Sequence, residues 1–253
     1  MSEGFFFYKY VNAQDALLII NNGTLFFTNP MNFNDPFDIA PSAPMEGMNK
    51  NYKMVLNHHG IKPRPYGRER KKILKQIVRE PIREDLLREW SVTCFSSSPF
   101  ILPLWAHYAD NHKGCVLEFK VTKEINDYIV AGLDKNHMDD EVIYPLSVIY
   151  SKKRPRSYDA DGNITEKLAQ QMILTKDEAW SYEKELRSFK NKAQGAYPFR
   201  KDQLHRVYCG LKMEEVAKQK IHEAVRHYRA KHGYHVKIAE VHLDREEYRM
   251  TKL

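Results

Sequence analysis

Apolar and polar positions change period several times along this chain, and each change predicts an element. The aromatic run FFFYKY at 5–10 predicts a strand. Asn12 then stands at the N-cap of a helix through AQDALLIINN, where Ala16, Leu17 and Ile20 form one apolar face and Gly23 is the C-terminal stop. TLFFTN at 24–29 predicts a second strand, and NPMNFNDPFD, dense in Pro, Asn and Asp, a structured loop. From about 46 to 90 the pattern becomes helical and heavily charged, as in RPYGRERKKILKQIVREPIREDLLREW, which predicts a helical insertion with a basic outer face that includes Arg70, Lys71 and Lys72. Strand signals return in WSVTCFS at 90–96 and, after a short helix LPLWAHYAD, in the alternating GCVLEFKV at 114–121.

VIYPLSVIY at 142–150 predicts a further strand, set at an edge or bent by Pro145, and SKKRPRSYDADGN at 151–163 a basic loop. A helix is expected from Thr165 to about Trp180, followed by strands in ELRSFKNK and HRVYCGL. MEEVAKQKIHEAVRHYRAKHG carries Val216, Ile221 and Val225 on one side and closes on Gly233, the strongest helical pattern in the chain. YHVKIAEVHLD alternates as a last strand. No repeat or low-complexity linker interrupts the order, so the expected architecture is one α+β domain over 1–253 with a helical insertion at about 46–90.

Composition narrows the class. At 253 residues and 42% hydrophobic the chain can bury a large core, which excludes a disordered tail. Its 40 Lys and Arg against 33 Asp and Glu favour a polyanionic or phosphate-bearing partner over an acidic surface, and make nucleic acid one candidate. Cys94, Cys115 and Cys209 are far apart and set in strand-like apolar contexts, which predicts reduced core thiols and a cytoplasmic protein. Cys94, His107, His112 and Cys115 could be grouped as a zinc site, but their irregular spacing favours buried thiols with surface histidines. The N-terminal segment has neither the basic start nor the apolar length of a signal peptide, and no stretch reaches the roughly 20 apolar residues that span a bilayer.

Three constellations carry chemistry. In YEKELR, Glu183 and Glu185 are two apart, which on a strand puts both carboxylates on one face. Two converging carboxylates raise each other's pKa and can steady a cation or accept a proton, whereas a solvated strand with Lys184 and Arg187 as surface partners is the commoner outcome of such a run. NDPFD offers Asn34, Asp35 and Asp38 either as backbone-ordering turn residues or, less fittingly, as hard metal ligands. WAHYAD sets Trp105 and Tyr108 three apart on one helical face with His107 beside them, and FSSSP ahead of it adds hydroxyls that can cap the helix or bond a ligand.

Together FYKY (7–10), GTLFFTNPMNFNDPFD (23–38), VTCFS (92–96), LWAHYADNHKGCVLEF (104–119) and WSYEKELR (180–187) resemble the bacterial and phage family called domain of unknown function 2971. The order of these pieces is also remotely similar to the ADP-ribosyltransferase fold, whose first strand supplies His or Arg, whose next motif supplies Ser or Tyr, and whose later strand supplies Glu, often as Glu-x-Glu. That resemblance implies a split mixed-sheet core and an enzyme that cleaves the nicotinamide–ribose bond of NAD. Glu185 would be the catalytic carboxylate and Glu183 would assist the acceptor. Ser96 and Tyr108 would line the nicotinamide site, as in the polymerase branch, and Lys9 would replace the usual His or Arg at ribose or phosphate. Tyr10, Asn34, Asp35 and His107 complete the NAD-binding set so implied. The resemblance further implies NAD as substrate without a metal, a macromolecular acceptor that is RNA, DNA or protein, a toxin or phage-defence role, and an antitoxin or regulatory partner. The rivals are a metal-dependent nuclease built on Asp35, Asp38, His107 and a Glu, and a non-catalytic nucleic-acid-binding or signalling module.

Overall fold

β1 (Phe5–Val11) sends Phe7 and Val11 into the core on one side of a sheet and Tyr8 and Tyr10 to the other, as a two-residue period requires. The structure, a computed structural model, describes residues 4–40, 87–130, 141–155 and 166–252. The helical insertion read at about 46–90, with Arg70, Lys71 and Lys72, falls almost wholly outside the described residues. After β1, the Asn12 side chain accepts the Asp15 amide at 2.7 Å and starts α1 (Ala13–Asn22), which Gly23 ends in the left-handed region at φ 63°. The face α1 buries is Ala16, Ile19 and Ile20, with Leu17 only partly covered.

The chain continues through β2 (Thr24–Phe27), a 3-10 turn at Pro30–Asn32, β3 (Ser91–Ser96), α2 (Leu102–His107), β4 (Cys115–Val121) and α3 (Lys123–Val130). Then come β5 (Leu146–Ser147), β6 (Ile149–Tyr150), α4 (Glu166–Ile173), β7 (Thr175–Lys176), a 3-10 turn at Glu178–Glu183, and β8 (Glu185–Lys190). The last elements are β9 (Gly195–Pro198), β10 (Leu204–Cys209), α5 (Glu215–His232), β11 (Lys237–Leu243) and β12 (Met250–Lys252). Eight strands form a mixed sheet in the order β12-β11-β10-β4-β1-β3-β8-β5, in which β10 and β11 pair in parallel and the other neighbours are antiparallel. The α+β expectation holds, and none of the described helices is long and apolar enough to cross a membrane.

α1 and α5 cover one face of the sheet, packing Ile20, Ile221, Val225 and Tyr228 with Phe7, Leu117, Phe119 and Val207. Val216, expected on that apolar side, is 63% exposed. On the other face α2 buries Leu104 and Trp105 against Tyr10, Val116, Tyr208 and Ala239. Trp105 is thus a core residue, and its indole N–H donates to the Pro99 carbonyl at 2.8 Å.

Two expected elements break where the chain changes partner. The strand read at 142–150 divides, because the Val148 amide bonds the Glu185 carbonyl at 3.0 Å while the Ile149 amide turns to Leu174 at 2.7 Å. The helix expected to reach Trp180 stops at Ile173, since Thr175 and Lys176 pair in parallel with Ile149 and Tyr150. Asp177 then caps a 3-10 turn, accepting the Ala179 amide at 2.9 Å.

Candidate functional site

The candidate site is built where β3 ends and β8 begins, at the register pair Ser96 and Glu185. Glu183 is not on the strand: it closes the preceding 3-10 turn, and Lys184 adopts a left-handed φ of 47° before β8 starts. That reversal, and not strand periodicity, is what brings Glu183 and Glu185 to the same cluster. β3 pins the turn: the Ser96 hydroxyl donates to the Glu183 carbonyl at 2.7 Å, and the Ser97 amide to the Lys184 carbonyl at 2.9 Å.

Below the two carboxylates lies a buried ion network. Arg187, fully buried and not the surface partner expected, donates to Glu185 through Nε at 2.7 Å and Nη2 at 3.0 Å, to Asp38 at 2.9 and 2.7 Å, and to the Ile173 carbonyl at 2.7 Å. Every N–H of the guanidinium is thereby used, which is what a charge removed from water requires. Lys176 bridges the pair, donating to Glu183 Oε2 at 2.6 Å and to Glu185 Oε2 at 2.9 Å, with the Trp180 ring 5.0 Å from its ammonium.

At Glu185 charge pairing reverses the expectation of a raised carboxyl pKa. Burial pushes Glu185 up, but the Arg187 guanidinium and then Lys176 outweigh it and hold its carboxyl down at about 2. Lys176 is opposed by burial and still raised, by Glu185 and Glu183. The Tyr108 hydroxyl donates to the remaining oxygen of Glu183, Oε1, at 3.1 Å; burial and that carboxylate raise its pKa. Both oxygens of Glu185 are held by cations, whereas Glu183 Oε1 is held by a phenol on a side chain that is 42% exposed.

Over this floor opens a cleft of about 240 Å³. Lys9, Tyr10, Asn34, Ser96, Tyr108, Glu183 and Glu185 all line it, from segments spread over most of the chain. Lys9 is tied to β3, donating to Thr93 Oγ1 at 3.0 Å and the Cys94 carbonyl at 2.9 Å, and burial lowers its pKa. The Tyr10 hydroxyl donates to the Ser98 carbonyl at 2.8 Å and accepts the Ile101 amide at 3.1 Å, so it shapes the loop into α2.

Two nominated residues do not line the cleft. Asp35 accepts the Phe37 amide at 2.8 Å as a turn residue. His107 is exposed, because on a helix consecutive side chains diverge by about 100° and Tyr108 takes the inward direction. Asp38 does reach the cleft floor, bound to Arg187, and among the described residues no three His, Cys, Asp or Glu side chains group to hold a metal ion. Of the cysteines, Cys115 and Cys209 are free thiols in the core, but Cys94 lines the cleft, where burial and then Glu185 push its thiol up. Lys176 and Arg187 were missed as site residues; the legible signal was that Glu185 and Arg187, two apart on a strand, share a face.

No curated protein and no solved structure matches the chain. Residues 104–188, which include Tyr108, Lys176, Glu183, Glu185 and Arg187 of the cleft and its floor, match the family described as "Protein of unknown function (DUF2971)", which supports the family read from the sequence.

Proposed function

We propose that the cleft binds NAD, cleaves its nicotinamide–ribose bond and transfers ADP-ribose to a macromolecular acceptor. The observation that carries this reading is the convergence of Lys9, Ser96, Tyr108, Glu183 and Glu185 on one cleft. In the reaction the bond between ribose C1′ and the nicotinamide nitrogen breaks, its electron pair neutralises the pyridinium, and an oxocarbenium-like ribose remains. The carboxylates of Glu185 and Glu183 supply fixed negative charge to that cation, and Tyr108 supplies an aromatic wall for the departing ring. A nucleophilic oxygen or nitrogen of the acceptor attacks C1′ and gives up its proton. Glu183 Oε1 takes it, because Tyr108 alone holds that oxygen while both oxygens of Glu185 are engaged by cations. The transferase-like fold, a toxin or phage-defence role and a regulatory protein partner belong to the same proposal.

The test is nicotinamide release and acceptor labelling from NAD in a cell lysate, comparing wild type with Glu183→Gln and melting both. Removing one electrostatic interaction with the transition state lowers turnover by about a hundredfold to a thousandfold. Glu183→Gln should slow transfer to the acceptor more than NAD hydrolysis. Wild type that releases no nicotinamide with any lysate fraction overturns the proposal.

A further inference from the structure

Beyond the cleft, the sheet face that carries Tyr8 continues across further strands. The strand registers put Glu185, Ser96, Tyr8, Glu118, Arg206 and Lys237 opposite one another in turn, one residue from each of β8, β3, β1, β4, β10 and β11. Opposed residues share a sheet face, so this is one cross-strand row. It runs about 24 Å at ~4.8 Å per strand. Tyr8 lines the cleft at one end, and at the other Arg206 and Lys237 line a groove of about 400 Å³ with Lys252, Arg229 and His235. Lys252 belongs to the same face, because it pairs with Val241, two residues beyond Ala239, and both of these pack with Tyr10 and Trp105.

The neighbouring row adds an aromatic to the cations. Phe6 opposes Lys120 and is 46% exposed, and its ring lies 5.2 Å from that of His205. The ladder shift between Leu204 and Arg206 lies at His205, whose Nε2 is 3.7 Å from Glu118. The His205 pKa is lowered by burial and then by Arg206, Lys237 and Lys120, with Glu118 opposing, which marks how closely the cations gather. Glu118, the carboxylate in the row between Tyr8 and Arg206, is buried and committed to the Tyr208 hydroxyl at 2.6 Å and to Arg206 at 3.5 Å. The outward display is therefore cationic on β4, β10 and β11, with the exposed Phe6 ring at its β1 end.

A sheet face that sets an uncovered aromatic beside a line of cations fits a chain of phosphates whose bases are unpaired and free to stack; duplex bases are already stacked on each other. We propose that this face binds single-stranded nucleic acid, with phosphates along Arg206, Lys237 and Lys252 and a base stacked on Phe6, the strand running along the row toward the cleft. The inference stands on this face alone and needs no NAD chemistry.

The experiment is fluorescence anisotropy of short labelled oligo(U) and oligo(dT), with a duplex of the same length and heparin as comparisons, across a salt series without NAD. Lys237→Glu with Lys252→Glu, both at exposed positions, should weaken oligonucleotide binding about tenfold or more and flatten the salt slope by about 0.7 for each phosphate no longer neutralised. Phe6→Ala should weaken it about tenfold with an unchanged slope, since stacking releases no counterions. Melting curves check that each variant is folded. No binding by wild type at low salt, equal binding of duplex, or wild-type affinity in Phe6→Ala overturns the inference. Oligonucleotide binding by a protein that never releases nicotinamide would keep it and remove the transferase reading.

Discussion

At the scale of single residues, the molecule turns on Arg187 and Glu185. A guanidinium with no exposed surface is tolerated because Glu185, Asp38 and the Ile173 carbonyl take all its donors. Replacing one member leaves its buried partners only partly compensated, Arg187 by Asp38 or Glu185 by Lys176, so Arg187→Met or Glu185→Gln should lower unfolding free energy by up to about 3–5 kcal/mol, read from the denaturant midpoint. Glu185→Gln is therefore not a clean test of catalysis, whereas Glu183→Gln removes one charge from a residue whose partners are Lys176 and the Tyr108 phenol. Glu185 also fixes a pH dependence. Its folded pKa of about 2 lies below the ordinary 4.5, so its contribution is present above 4.5 and is lost as pH falls through about 2. Stability should decline across that acid window, and the decline should be shallower in Glu185→Gln, measured by melts at stepped pH.

At the scale of elements, the turn between the 3-10 segment and β8 decides whether two carboxylates or one enter the cleft. Lys184 holds a left-handed φ of 47°, a conformation that costs a non-glycine residue about 1 kcal/mol and a β-branched residue more. Lys184→Gly should keep or slightly raise the melting temperature and keep turnover, while Lys184→Val should lower both by moving Glu183 away from Lys176. Equal behaviour of the two variants would show that this turn does not set the geometry. The end of α2 divides labour in the same way. Trp105 is fully buried and anchors the helix, whereas Tyr108 is 42% exposed and touches Glu183. Tyr108→Ala should then weaken NAD binding while melting within a few degrees of wild type, as titration and melts on one sample would read.

At the scale of the whole molecule, the long sheet sets both the protection of the backbone and the path between sites. β4 is flanked by β10 and β1 and is buried along nearly all its length, while β5 and β12 are short edge strands. Hydrogen exchange should be slowest in β4 and β1 and fastest in β5 and β12, because edge amides open without disrupting the core. The same sheet joins β8, which carries Glu185, to β11, which carries Lys237, through a single row of side chains.

Local pattern determined a good share of this protein. Aromatic and apolar runs predicted β1, β2, β3, β8 and β10, alternation predicted β4 and β11, and Asn12, Gly23 and Gly233 marked helix ends, because caps and strand patterns are written in neighbouring residues. The nominated residues that line the cleft were reached partly through motif resemblance and partly through residue type. β9 and β12 escaped notice because they are short and carry Pro or polar residues, and the division of 142–150 depended on partners far along the chain. Lys176 lay within an expected helix, and Arg187 beside two acids looked like a solvated charge. Only the tertiary structure decided otherwise, because a charge is driven to the surface or accepted in the interior according to whether distant groups such as Asp38 and the Ile173 carbonyl arrive to satisfy it.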